Sequence, residues 1–322
     1  MRTVFLDFDS LHPSDLDTAA FESRLENVDY WSQSQPKEIV SRLKDAEVAV
    51  VNKLRLGAEE FAQLPQLKLI CLAATGSDNI DLDAARENAI AVANIRDYCS
   101  ASVAQHVFTL LLTLNQKLDT YRTQVNGGQW SVSVEFCLLE PTFTELDNKI
   151  LGIVGYGTLG RRVAAIGNAF GMRVMAASRA GKTAKITEQN VQPATLEQIF
   201  SAADVISLHC PLNSTTENLI NEQALNAMQQ HALLINTARG GLIDSVALVK
   251  ALSEGHIAGA AVDVLREEPP VNGDPLLSTQ LPNLIVTPHM AWAAREARQR
   301  ALDQILSNIE SFAAGNGNNH LI

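Results

Sequence analysis

From the first residues, short apolar runs alternate with helical patterns: a strand at Val4 to Phe8, a helix near Asp15 to Leu25, a helix at Pro36 to Lys44, a strand at Val48 to Val51, a helix at Glu59 to Leu64 and a strand at Leu67 to Leu72. Such alternation predicts a mostly parallel sheet with helices on both faces, because parallel neighbours need crossover connections. A longer helix follows at Ser100 to Leu118. There Val103, Val107, Leu110, Leu111 and Leu114 recur at helical spacing behind Ser100 as N-cap, in a segment placed to bridge two domains. Thr120 to Asp147 then reads as polar and irregular, with Gly127, Gly128, Trp130 and Pro141. That is long for a connection inside a compact domain, so it is either a subunit-contact arm or an active-site flap.

A second alternating series begins at Lys149, with strands expected at Ile150 to Val154, Arg173 to Ala177, Val205 to Cys210, Leu233 to Asn236, Gly259 to Val264 and Leu284 to Thr287. The final helical pattern, Ala293 to Phe312, is expected to return to the first domain. The pattern therefore predicts an α/β protein of two doubly wound parallel-sheet domains. One is built from residues 1–99 plus 291–322, the other from residues 100–290.

Composition narrows the partners. The chain has 322 residues, 46% of them hydrophobic, with 25 Lys and Arg against 36 Asp and Glu, a formal charge of −11. No basic run is present to neutralise a phosphate backbone, so nucleic acid is not an expected partner. The start, MRTVFLDFDS, carries acidic residues where a signal peptide has an apolar core, and no apolar run approaches roughly 18 residues. The expectation is a cytoplasmic protein with no membrane partner. Cys71, Cys99, Cys137 and Cys210 are widely separated and lack zinc spacing, so neither a disulfide framework nor a metal site is expected.

Candidate chemistry starts directly after the apolar strand ending at Val154. Gly155-Tyr156-Gly157-Thr158-Leu159-Gly160 follows it, and then a helical pattern from Arg161 to Phe170 closed by Gly171. Between a strand and a helix, each glycine of GxGxxG has a use: a tight turn, close approach of backbone to a pyrophosphate, and close helix packing. The helix start adds amides and a favourable dipole, so Gly155, Gly157, Thr158, Leu159 and Gly160 are candidate cofactor contacts. In NAD-preferring sites a carboxylate ends the second strand and binds the adenosine ribose. Here that end reads Ala176-Ala177-Ser178-Arg179, with Lys182 close by. Cations there would meet a 2′-phosphate, so NADP(H) is expected over NAD(H); the other reading of Arg179 is a solvated surface charge.

Three polar residues follow three separate predicted strands: Arg239, Glu268 and His289. Ligands of open parallel sheets bind beyond the carboxyl ends of the strands, so all three are placed to face one cleft. Hydride delivery to a ketone makes an alkoxide, and reduction of a 2-oxo acid therefore needs a proton donor and a cation for the carboxylate. Imidazole suits the first task and guanidinium the second. Glu268 beside His289 would stabilise imidazolium and fix its orientation. Each residue alone has an ordinary structural reading; their joint placement makes the case.

The sequence resembles the D-2-hydroxyacid dehydrogenases, and within them the glyoxylate/hydroxypyruvate reductase (glycerate dehydrogenase) group, over nearly its whole length. The matching stretches are AATGSDNIDL from Ala73, ASVAQHVFTLLL from Ala101, GIVGYGTLGRRVA from Gly152, HCPLNSTTENLI from His209, INTARGGLID from Ile235, AVDVLREEPP from Ala261 and TPHMAW from Thr287. The resemblance implies a Rossmann dinucleotide-binding domain and a flavodoxin-like substrate domain. It implies that Arg239 binds the substrate's carboxylate and carbonyl, that Glu268 pairs with His289, and that His289 is the general acid. It further implies that Thr75 and Gly76 present amides to the substrate, that Asp263 contacts the nicotinamide carboxamide, and that Cys210, Pro211, Thr237 and Ala238 line the cofactor. Residues of about 100–145 would make a homodimer.

The favoured substrates are hydroxypyruvate and glyoxylate, since TPHMAW resembles the small-substrate reductases. Leu54, Arg55 and Trp292 are candidates for discriminating among acids. The rival readings are a dehydrogenase for phosphoglycerate, a sugar acid or a branched 2-oxo acid, and a nicotinamide-sensing binding protein akin to corepressors of the same family. The segment Ala177 to Arg179 departs from the NAD-preferring members in lacking their acidic residue.

Overall fold

A computed structural model describes residues 1–179, 182–183, 188 and 190–322, with the side chains of 178, 179, 182 and 183 outside the description. The chain divides into two compact units, Met1–Cys99 with Ala293–Ile322, and Ser100–Trp292.

The first unit alternates β1 (Thr3–Phe5), α1 (Ala19–Arg24), β2 (Val28–Tyr30), α2 (Ile39–Leu43), β3 (Val48–Val51), α3 (Ala58–Phe61), β4 (Leu69–Leu72), α4 (Leu82–Glu87) and β5 (Ala91–Ala93). Its sheet runs β2-β1-β3-β4-β5, all parallel, the flavodoxin-like order. Strands β3 and β4 are buried at every position, which is why they read as unbroken apolar runs. The helix Arg295–Ala313 completes this unit and packs over β4 through a stripe that includes Ala301, Leu302, Ile305 and Ile309. Arg298 anchors it with a bidentate contact to Asp15, at 2.6 and 2.7 Å, and with bonds to the carbonyls of Leu11 and His12.

The second unit comprises α5 (Ser100–Asn115), α6 (Leu118–Asn126), β6 (Ile150–Val154), α7 (Thr158–Ala169), β7 (Arg173–Arg179), β8 (Lys182–Thr183), β9 (Val191–Pro193), α8 (Leu196–Ala202), β10 (Val205–Leu208), α9 (Glu222–Ala227), β11 (Leu233–Asn236), α10 (Ser245–Ser253), β12 (Gly259–Val262), α11 (Pro275–Ser278) and β13 (Leu284–Val286). Its sheet runs β13-β12-β11-β10-β6-β7-β8, with β9 also paired to β7. Apart from antiparallel β8 the pairs are parallel. The expected class, two doubly wound parallel sheets, is the class observed. Helix starts are capped by their own sequence: Asp244 and Asn221 accept first-turn amides of α10 and α9, and Thr195 forms a capping box with Gln198.

Two local expectations change. Helix α5 ends at Asn115 rather than Leu118, because Lys117 adopts the left-handed conformation at φ 53°. The start of the segment read as irregular is helical: α6 spans Leu118–Asn126, but none of its residues is buried, so no apolar stripe marks it.

Candidate active site

The glycine loop sits where β6 gives way to α7. Gly155 has φ +102°, and a Cβ there would lie 2.5 Å from the His209 carbonyl carbon, so only glycine lets the two strand ends approach. A Cβ on Gly160 would meet the Gly155 carbonyl oxygen at 2.2 Å, which fixes close packing of α7 on its loop. Among the described residues, a Cβ on Gly157 would meet nothing within 4 Å, so the backbone there borders space that none of them fills, at the N-terminus of a 12-residue helix. The first-turn amides, Thr158 to Gly160, have no acceptor within the helix and face that space with the positive end of the dipole.

Across the sheet, the Thr237 hydroxyl is buried with no hydrogen-bond partner among the described residues, an acceptor or donor left for a ligand. Cys210 is buried, and burial pushes its thiol up to about 11, so this position is an apolar wall rather than a nucleophile. These residues fit a dinucleotide. Pro211 and Ala238 flank Cys210 and Thr237 in sequence at the same strand ends. The side chains of Ser178, Arg179 and Lys182 lie outside the described residues.

The polar residues at the other strand ends are drawn together by register. Asn236 pairs with Val262, and Val262 with Val286, so the loops after β11, β12 and β13 leave the sheet side by side. On the last of these, His289 Nδ1 lies 2.5 Å from Glu268 Oε2, where the carboxylate accepts the ring N–H. The other Glu268 oxygen accepts the Leu265 amide at 2.8 Å, which orients the carboxylate. Both side chains are about one-third exposed, 28% for His289 and 32% for Glu268, open enough for a ligand to reach the imidazole. Arg239 is half-buried on the β11 loop. A Cβ on the next residue, Gly240, would lie 2.0 Å from the Leu265 carbonyl carbon, so the loop bearing Arg239 is pressed against the loop that leads to Glu268.

Two buried polar residues fix the loops of this site: Asn236, which the sequence did not single out, and Asp263, which it did. Asn236 is fully buried; its side chain takes the Ala238 amide and donates to the Arg239 carbonyl, which shapes the turn presenting the guanidinium. Asp263, also buried, accepts the amides of Met290 and Ala291 and the Thr287 hydroxyl. Burial alone would raise its carboxyl; hydrogen bonds from His106, Thr287, Ala291 and Met290 outweigh that and hold it below the usual range. The Asp263 side chain is 0% exposed and bonded to the loop that carries His289. Side-chain polarity alone does not reveal such partners, because they lie far apart in sequence.

In the first unit, Thr75 and Gly76 lie in the loop after β4. Thr75 donates to the Ile95 carbonyl, and its own carbonyl accepts from Asn94. The loop carrying Leu54 and Arg55 is fixed from two sides. Asp7 collects the amides of Asn52 and Lys53, and Asn79 donates to the carbonyls of Asn52 and Leu54. Burial raises the Asp7 carboxyl despite those amide bonds. Trp292 is half-buried at the end of the second unit.

A parallel sheet with a glycine loop opening a helix at one strand end, and an imidazole–carboxylate pair on the loops after β12 and β13, defines a nucleotide-dependent dehydrogenase. The chain belongs to the D-isomer specific 2-hydroxyacid dehydrogenases, oxidoreductases acting on CH–OH groups, whose NAD binding domain matches residues 108–291. Among its relatives, the glycerate dehydrogenase of Methylorubrum extorquens is 42% identical over 318 residues, 99% of this chain and 98% of that protein. The hydroxypyruvate reductase of Blautia hydrogenotrophica is 36% identical, covering 98% of each. An acyclic imino acid reductase solved with NADPH and D-Arg superposes with a TM-score of 0.87 at 29% identity, over the whole of both chains. No helix of the described residues is long and apolar enough to cross a membrane.

Proposed function

We propose that the protein reduces hydroxypyruvate or glyoxylate to the corresponding 2-hydroxy acid with NADPH, and runs the reverse oxidation. The observation that carries this reading is the His289–Glu268 pair at the strand ends beside the loop of Arg239. The glycine loop would hold a reduced nicotinamide dinucleotide, which when bound would supply the hydride for the substrate's carbonyl carbon. Arg239 holds the substrate carboxylate through a charge-assisted contact and steadies negative charge on the carbonyl oxygen. His289 gives its Nε2 proton to that oxygen, while Glu268 on Nδ1 stabilises the imidazolium before transfer and keeps the ring in position. In oxidation the same imidazole takes the proton back.

Thr75 and Gly76 are assigned to the substrate carboxylate, and Trp292 to the wall that excludes larger acids. Cys210, Pro211, Thr237 and Ala238 are assigned to the cofactor, and Asp263 to the nicotinamide carboxamide. Preference for NADP(H) rests on the sequence Ala177-Ser178-Arg179 with Lys182, cations without a carboxylate. The substrate domain is assigned to residues 1–99 plus 291–322, and the dinucleotide domain to residues 100–290. A homodimer is supported by the arm that follows α6, where Val132, Val134, Phe136 and Leu139 are 82%, 98%, 88% and 74% exposed. Four unpaired thiols and a reduced nicotinamide pool suit a cytoplasmic setting.

The test is a spectrophotometric screen of NADPH and NADH against hydroxypyruvate, glyoxylate, a phosphorylated 2-oxo acid and a branched one. The expected result is kcat/KM of about 10⁴ M⁻¹s⁻¹ or more for a small acid with NADPH, and a lower value with NADH. Turnover of none of them by protein that binds NADPH would instead mark a nicotinamide-sensing binding protein.

A further inference from the structure

His289 stands in an unfavourable backbone conformation, φ 53°, on a loop that follows the half-buried end strand β13. Something must hold it there, since a non-glycine residue in the left-handed region costs of order 1 kcal/mol or more. One support is Asp263: its carbonyl accepts the His289 amide at 2.7 Å, and its carboxylate takes the amides of Met290 and Ala291 at 3.0 and 2.9 Å. The other comes from α5. Ser102 and His106 are four residues apart and so share one face of that helix. The Ser102 hydroxyl donates to the Ala291 carbonyl at 2.6 Å, two residues beyond His289. His106 Nε2 lies 3.2 Å from the Thr287 hydroxyl, two residues before it, and 3.5 Å from Asp263 Oδ1.

Counting protons fixes the direction of these bonds. The Thr287 hydroxyl has one hydrogen and gives it to Asp263. Toward His106 it can therefore only accept, so Nε2 of His106 carries a proton. The same N–H points at the buried carboxylate of Asp263, whose desolvation is otherwise offset, among the described residues, by Thr287 and two backbone amides.

We propose that His106, with Ser102, is a positioning residue: one face of α5 braces the His289 loop on both sides and holds the imidazole where the proton is needed. The inference rests on the reading of His289 as proton donor, and it adds a residue that neither touches substrate nor belongs to the pair. His106 acts through the Nε2 donor alone, so a side chain that restores a donor at that point restores the brace.

The experiment compares His106→Leu, His106→Gln and Ser102→Ala with wild type, reading kcat, KM, NADPH affinity and hydrogen exchange of the peptide spanning residues 287–292. Leu removes the donor and keeps bulk; the Gln amide places a nitrogen near the position of Nε2. The expected outcome for His106→Leu is a fall in kcat of roughly 10- to 100-fold, the scale of a misplaced catalytic group, with NADPH affinity retained and faster exchange in the peptide. His106→Gln recovers kcat to within about threefold of wild type and restores protection. Ser102→Ala, which keeps His106, shows the same changes in smaller measure, and it carries the test if His106→Leu does not fold.

Wild-type kcat and exchange in His106→Leu would overturn the inference. So would equal loss in Leu and Gln, since the role would then be packing of the ring. Exchange reads the brace without any turnover, so an inactive wild type would count against the proposed reaction while the brace was still decided.

Discussion

His209 shows how burial of one residue sets a condition for the rest. It lies under the glycine loop, its Nε2 bonded to Ser207 at 2.8 Å and its Nδ1 buried with no partner among the described residues. Desolvation pushes its imidazolium down from 6.5 to about 4. Above the ordinary histidine range both folded and unfolded chains hold it neutral, and it contributes nothing. As pH falls below about 6.5 the unfolded chain binds a proton that the folded chain refuses until about 4, so stability is lost through that window. At about 1.4 kcal/mol per pH unit, the loss between pH 6.5 and 5 is about 2 kcal/mol. Thermal melting at pH 7 and pH 5 should show a drop in Tm for wild type that is smaller in His209→Gln. An identical drop in both would mean that other groups set the acid sensitivity. At the same scale, Asp263 is a charge whose use is mechanical: four donors converge on it, and what they fix is the loop on which His289 rides.

At the scale of elements, the arm after α6 is the part that the first principles of burial leave unexplained within one chain. It folds back on α6 through Tyr121 to the Pro141 carbonyl, Gln124 to the Glu140 carbonyl and Tyr121 edge-on to Phe143. Yet its valines and phenylalanine point outward. Each is worth about 1.5–3 kcal/mol when taken from water, enough together to hold a subunit contact. Light scattering should give about twice the chain mass of 34.9 kDa for wild type, and a monomer after Val132→Ser, Val134→Ser and Phe136→Ser are combined. A monomeric wild type, or a dimer indifferent to the three changes, would remove the arm from the interface.

What was legible in the sequence follows the same physics. Ile150–Val154, Leu233–Asn236 and Val48–Val51 read directly because strands buried on both faces are continuous apolar runs. By contrast β2 is three residues with an Asp at its centre and no buried position, β5 is three residues of Ala and Val, and α6 buries nothing, so none left a period to find. Likewise the glycine loop and the three strand-end polar residues announced themselves by position. Asn236, Ser102 and His106 did not, because their partners sit across the fold and a polar residue gives no hint of what it will bond.

At the scale of the whole molecule, a parallel sheet sorts residues by function. Strand register brings the loops after β11, β12 and β13 to one end, so that positions 239, 268 and 289, remote in the chain, leave the same edge as the glycine loop after β6. Membership of the 2-hydroxyacid dehydrogenases gives that edge its reaction class, and the relatives cover the chain from end to end. The central claim is that the imidazole at that edge supplies the proton as hydride reaches the carbonyl carbon. Its most direct measurement is single-turnover oxidation of bound NADPH by hydroxypyruvate in wild type and His289→Ala. The rate should fall about 10²- to 10⁴-fold with NADPH affinity unchanged to within about twofold. A rate equal to that of wild type would show that the proton comes from elsewhere.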